Sequence, residues 1–184
     1  MNDVVVVDYG AGNTRSVGAA LAHLGYRSTV SADPTLLREA PYVILPGVGS
    51  ARSAMAHLSS TGAADALRAR VDAGGALLGI CLGLQLALED SEEDGGVEGL
   101  GLVGGHVRRL PDGRVPRLGW AAVEPGDDVY YFAHSYVAHT DHAVAMSEGL
   151  TAIVRSGSFL GVQFHPEKSG AAGLRFLDQC LCRA

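Results

Sequence analysis

Two short stretches carry residues able to do covalent chemistry. The first is Gly79-Ile80-Cys81-Leu82-Gly83, a cysteine with glycine two residues before and two after it. The apolar run Ala76-Leu77-Leu78 precedes it, and the helix formers Leu84-Gln85-Leu86-Ala87-Leu88-Glu89 follow. Strand, tight turn and helix form the setting of a nucleophile elbow, here with Cys where Ser is more familiar. Such a turn strains its central residue and demands small neighbours, which the two glycines supply. It also sets the sulfur at a helix N-terminus, where the dipole favours a thiolate. A buried core cysteine is the other reading of the same five residues.

The second stretch is Leu160-Gly161-Val162-Gln163-Phe164 running into His165-Pro166-Glu167. In extended backbone, residues i and i+2 share a face, so Glu167 can reach the ring of His165. Pro166 fixes φ between them and ends any strand ladder. A cysteine nucleophile needs a base, and the base needs an orienter that sets its tautomer. Cys81, His165 and Glu167 supply the three parts. Taken alone, the His-Pro-Glu segment also reads as a strand-ending turn. The other histidines have ordinary explanations: His23 and His57 sit on or beside helices. His139, Asp141 and His142 fall in a polar loop without metal-type spacing.

The elements that must position these residues can be read in order. Val4 to Asp8 is a β-branched run expected as a central parallel strand. Tyr9-Gly10-Ala11-Gly12-Asn13 is its loop, and a helix follows from Thr14 to Leu24, stopped by Gly25. Arg15 stands where a dinucleotide fingerprint would need its third glycine, which speaks against that motif. Arg27 to Val30 and Tyr42 to Leu45 are the next strands, with a helix between Asp33-Pro34 and Ala40-Pro41. Pro46-Gly47-Val48-Gly49 then forms a second glycine-rich loop at a strand's carboxyl end. It reads as an oxyanion or phosphate cradle, or as a plain tight turn.

Ala63 to Asp72 is an amphipathic helix that delivers the chain to the strand before Cys81. Asp90 to Gly96 reads as a solvated acidic connection. Beyond residue 100, short apolar segments alternate with turns such as Pro111-Asp112-Gly113 and Pro125-Gly126-Asp127. These segments are 105–110, 118–123, 129–136, 151–155 and 160–164, expected as antiparallel strands or hairpins added to the same sheet. A last helix, 173–182, turns Leu174, Leu177 and Leu181 inward and leaves Cys180 and Cys182 as bystanders. The fold expected is α/β, an open and mostly parallel twisted sheet flanked by helices, in one domain over residues 1–184.

Composition agrees. Apolar residues are 47% and aromatics 6% of the chain, a core of Val, Leu, Ile and Ala. A formal charge of −6 without a basic block argues against nucleic-acid binding. No apolar run approaches the ~20 residues of a membrane span. An odd three cysteines without metal spacing suggest a reducing, cytoplasmic setting.

Gly-Ile-Cys-Leu-Gly with Val-Gln-Phe-His-Pro-Glu-Lys-Ser resembles the triad glutamine amidotransferases. Four further blocks are similar to the glutaminase subunits of imidazole glycerol phosphate synthases within that family. These are Asp8 to Asn13, Leu45 to Gly49, Gly119-Trp120 and Tyr131 to Tyr136. The resemblance implies a flavodoxin-like sheet, no cofactor or metal, and a small-molecule substrate, glutamine. Cys81 would attack the side-chain amide, with His165 moving the proton and Glu167 aligning it. Backbone N–H groups at Leu82 and in Gly47-Val48-Gly49 would hold the oxyanion; Gln85, Glu93, Ser135 and Tyr136 would contact glutamine.

The resemblance further implies a (β/α)8 cyclase as heterodimer partner, with Asn13, Trp120 and Lys168 near the interface. Ammonia would pass inside the complex, in histidine biosynthesis. An oxyanion loop mis-set until docking would avert wasteful hydrolysis. The sequence departs from the family's pattern at Arg117, Ala121 and Ala51-Arg52, and is short between Trp120 and Ile153. Other readings are a related glutaminase feeding a different synthase, a catalytically silent regulatory subunit, and a stand-alone esterase or peptidase.

Overall fold

The computed structural model describes residues 3–111 and 115–182. Asp112 and Gly113 of one expected turn lie outside the described residues. The elements are β1 (Asp3–Val7), α1 (Thr14–His23), β2 (Arg27–Ser31), α2 (Pro34–Glu39), β3 (Tyr42–Leu45), α3 (Ala51–Ser60), α4 (Ala63–Asp72), β4 (Leu77–Ile80) and α5 (Leu82–Leu86). There follow β5 (Asp90–Ser91), β6 (Val97–Glu98), β7 (His106–Arg109), β8 (Arg117–Ala122), β9 (Val129–His134), β10 (Tyr136–His139), β11 (Ala143–Ser147), β12 (Leu150–Ser156), β13 (Phe159–Val162) and α6 (Gly170–Cys182).

Seven strands make the main sheet, in the order β11-β12-β13-β4-β3-β1-β2. The pairings from β2 across to β13 are parallel, and β12 and β11 add antiparallel at the far edge. The β-branched and leucine runs fill the central strands because both faces are covered. Val5, Val7, Val43, Leu45 and Leu77 pack beneath α2, α3 and α4. Val4, Val6, Ile44, Leu78 and Ile80 face α1 and α6. Period-two alternation therefore splits each strand between two cores. β2, with its four leading residues exposed, is the polar edge.

Helix ends follow local chemistry. The Asp33 carboxylate caps α2 by accepting from the N–H groups of Thr35 and Leu36. Beyond α1, Tyr26 N–H donates to Leu21 and Gly25 N–H to Ala22, with Gly25 at φ 83°. That is a Schellman stop. The carbonyls at the end of α2 are collected by one buried side chain, Arg70 of α4. Its guanidinium donates to the carbonyls of Leu37, Arg38, Ala40, Pro41 and Ala76.

The structure corrects three expectations. The crossover from β3 to β4 carries two helices, because α3 intervenes before α4. The helix after Cys81 ends at Leu86 rather than Glu89. Leu100, Gly101 and Leu102 return alongside and donate to Leu86, Leu88 and Ala87, taking carbonyls that a longer helix would use. The strands of the second half do not all join the main sheet. β10, β7, β5 and β6 form a separate four-stranded sheet, and β8 and β9 a two-stranded ribbon.

Replacing Arg70 by Met keeps the stem but strands five carbonyls. Buried acceptors that lose a charged donor cost the fold heavily. Urea unfolding of R70M is expected to show a loss of about 3 kcal/mol or more.

Candidate active site

The loops at the carboxyl ends of β1, β3, β4 and β13 converge, the position where open α/β sheets hold ligands. At the end of β4, Cys81 has φ 51° and ψ −105°, left-handed backbone that a non-glycine residue adopts only under constraint. The constraint is packing. A Cβ on Gly83 would lie 2.0 Å from the Leu45 carbonyl oxygen, and one on Gly47 would lie 1.7 Å from that of Ile80. β3 and the elbow thus touch backbone to backbone, which only glycine permits. The Cys81 N–H is anchored on the Val162 carbonyl of β13 at 2.7 Å.

β13 also delivers the histidine. His165 Nδ1–H donates to Glu167 Oε1 at 2.9 Å, and both side chains are almost wholly buried. With Nδ1 occupied, Nε2 is the nitrogen left to interact with Cys81. Burial alone would favour the neutral ring. The interaction with Cys81, then the hydrogen bond to Glu167, outweighs it and lifts His165 to about 9. Burial likewise pushes the Glu167 carboxyl up. The hydrogen bond and charge of His165, with a bond from Asn13, hold it below its ordinary value.

A cavity of about 270 Å³ opens over the sulfur. It is lined by Gly47, Val48, Gly49, Leu82, Gln85, Glu93, Ser135 and Tyr136, so every residue expected to contact substrate borders one space. A larger groove of about 910 Å³ lies against α6 and is lined by neither Cys81 nor any histidine. Glu93 carries a buried carboxylate oxygen with no hydrogen-bond partner among the described residues. Burial, then the neighbouring Asp94 charge, raises its carboxyl above the ordinary value. A buried anion in this state calls for a cation in the cavity.

Several of these residues also make contacts that the sequence did not specify. Asn13, expected at a partner interface, donates to Glu167 Oε1 at 3.0 Å and so extends the hydrogen-bonded pair of His165 and Glu167. Gln85 donates to the Tyr136 carbonyl at 2.8 Å and to Gln163 Oε1 at 3.2 Å, which commits its amide nitrogen to the cavity wall. The Val48 N–H, in the segment expected to hold the oxyanion and to be mis-set until docking, donates to the Tyr9 hydroxyl at 3.1 Å. The acidic loop is exposed at Glu92, Asp94, Gly95 and Gly96, as expected, but its carboxylates other than that of Glu93 are paired. Asp90 pairs with His106 and Arg108, Glu92 accepts from the Arg109 N–H, and Asp94 accepts from Ser50 Oγ and the Arg52 N–H. Its charges fasten β5, β7 and the start of α3 together.

Sequence reading missed three side chains here. Gln163 is fully buried and donates to the Cys81 sulfur at 3.5 Å. His134 donates from Nδ1 to the Tyr136 carbonyl, and burial drops its pKa to about 4, so it stays neutral. Tyr9 is the third. Each lies in a quoted motif; Gln163 and Tyr9 bond to distant segments, which leaves no local pattern, whereas His134 bonds only two residues on. Among the departures, Arg117 stacks over Phe132 at 4.1 Å and binds Ser147 and Glu148. Trp120 and Lys168 are exposed, as are His139, Asp141 and His142.

With this geometry in place, relatives can be compared. Residues 5–184 match the family Glutamine amidotransferase class-I. This chain belongs to that family. The imidazole glycerol phosphate synthase subunit HisH of Moorella thermoacetica is 44% identical, over 96% of this chain and 93% of its own. The subunit of the same name from Thermus thermophilus is 41% identical, over 94% and 93%. A crystal structure of a glutamine amidotransferase matches with TM-score 0.81 at 24% identity, covering 97% of this chain and 98% of its own. PurLQS from Thermotoga maritima matches at 0.73 and 20% identity, covering 98% and 97%. The two structures show the fold: a mostly parallel sheet between helices.

Linkage gives the pH dependence of stability. His165 is raised from 6.5 to about 9, so its contribution is full below pH 6.5 and is lost as pH rises through 9. Denaturation midpoints should fall across that window by the equivalent of about 3 kcal/mol. In Glu167→Gln the fall should flatten, because the ring then lacks the carboxylate that holds its proton.

Proposed function

We propose that this chain is the glutaminase subunit of an imidazole glycerol phosphate synthase, acting as one cytoplasmic domain in histidine biosynthesis. The observation that carries the reading is the buried series Cys81, His165, Glu167 opening onto a cavity with an uncompensated Glu93. The relatives at 41–44% identity share the assignment in their names.

Glutamine enters with its α-ammonium on Glu93 and its side-chain amide over Cys81. The cavity's Ser135 and Tyr136 face the remaining backbone of the substrate. The thiolate attacks the amide carbon, forming a C–S bond and an oxyanion. The His165 imidazolium gives its Nε2 proton to the departing nitrogen, and ammonia leaves as the C–N bond breaks. Glu167, ionised and held by Asn13, keeps Nδ1 protonated and the ring in register. Water then adds to the γ-glutamyl thioester, with neutral His165 as base, and glutamate leaves as the sulfur regains its charge. The donors proposed for both oxyanions are the Leu82 N–H and one in Gly47-Val48-Gly49.

The acceptor of ammonia is proposed to be a (β/α)8 cyclase in a heterodimer. Ammonia is mostly protonated in neutral water and then no longer nucleophilic, so an enclosed route preserves it. Leu118 and Trp120, two residues apart on one face of β8, are 65% and 58% exposed. Leu118 also borders the cavity. Apolar side chains so placed suit a protein partner that closes over the mouth.

Cys81→Ala should cut glutamate release by about 10⁴-fold or more while leaving cyclase binding intact. Weak release by the purified wild-type chain should rise steeply with a histidine-pathway cyclase and its nucleotide ligand. A rate that is high without the cyclase, or C81A that fails to bind it, contradicts the assignment.

A further inference from the structure

The Tyr9 side chain is assigned no part in the chemistry above, yet it is 3% exposed and bonds the segment that borders the cavity. Its hydroxyl accepts the Val48 N–H at 3.1 Å and lies 2.9 Å from the Pro46 carbonyl and 3.1 Å from that of Val48. A phenol has one proton and two lone pairs, so it accepts the amide while donating to one carbonyl at a time. All the polar groups it meets belong to the three-residue segment after β3. That segment contains the amide proposed as an oxyanion donor.

We propose that Tyr9 is a positioning residue that latches Pro46–Val48 with the Val48 amide spent on the phenol, so that the free chain lacks one oxyanion donor. The inference rests on the glutaminase reading and adds the group that restrains it. The latch is well enclosed. The Cβ position of Gly12 is 3.2 Å from both the Tyr9 hydroxyl and the Pro46 ring. Burial lifts the phenol to about 12, so it remains protonated through any assay range. Tyr9 also opens the loop whose last residue, Asn13, holds Glu167. Between them Gly10 and Ala11 are exposed. Pressure on those two residues from a docked partner would therefore reach the oxyanion segment and the carboxylate together.

Tyr9→Phe removes the hydroxyl and little else. Because one oxyanion donor is worth about 10²-fold or more in kcat, the free variant should hydrolyse glutamine at least about tenfold faster than the free wild type. KM should change less than about twofold, since Glu93, Ser135 and Tyr136 are untouched. With the cyclase bound, the two rates should converge. Hydrogen exchange gives a readout independent of turnover: the Val48 amide should exchange at least about tenfold faster in Y9F. An unchanged or lower free kcat, or an unchanged Val48 exchange rate, overturns the latch. Wild-type chain inert toward glutamine even with the cyclase would overturn the glutaminase reading and the rate effect with it. The exchange result would still report whether the phenol restrains the amide.

Discussion

The backbone of Cys81 is the constraint on which the site depends. A cysteine at φ 51° and ψ −105° is held there only by its surroundings. β3 and β13 flank β4 in parallel register, Leu45 and Gly47 press against the turn, and Val162 takes the Cys81 N–H. The strain is therefore balanced by the middle of the sheet, the part with the most burial to offset it. From the same strands come the loops that carry Val48 and His165. One mechanical unit thus sets Cys81, His165 and the segment around Val48 relative to each other.

Electrostatics adds a second layer to this framework. Two ionisable side chains, His165 and Glu167, are buried where isolated charges would be costly. Each is tolerable because the other is present, and Asn13 satisfies the carboxylate further. Glu93 has no such partner, and its raised carboxyl is consistent with a site that awaits a cationic group. The contrast separates a carboxylate paired with a buried imidazole from one with no cationic partner among the described residues. The neutral His134, close by, has its Nδ1 fixed by a carbonyl and brings no competing charge.

Most of this framework was legible in the chain because it is encoded locally. The valine run of β1, the Asp33-Pro34 helix start and the Gly25 stop each declare themselves within a few residues. So does the i, i+2 relation of His165 and Glu167. What escaped reading depends on contacts between remote segments. Helix α3 is the exception, since Ala51, Ala54, Met55 and Leu58 recur at helical spacing behind the serine cap Ser50, a local signal that was passed over. The helix after Cys81 looked longer because Leu84 to Glu89 are good helix formers. The returning chain at residues 100–102 takes their carbonyls instead. Gln163 bonds to partners 78 and 82 residues away and Tyr9 to partners 37 and 39 away.

The central claim is that Cys81 becomes acylated by glutamine under the control of His165. Its most direct test is acid quenching of the chain during turnover, followed by mass analysis of the peptide containing Cys81. A γ-glutamyl adduct on that sulfur, labile to hydroxylamine and lost in Cys81→Ser and His165→Ala, is the predicted result. Turnover of glutamine with no adduct on Cys81, or full activity in either variant, would contradict the account.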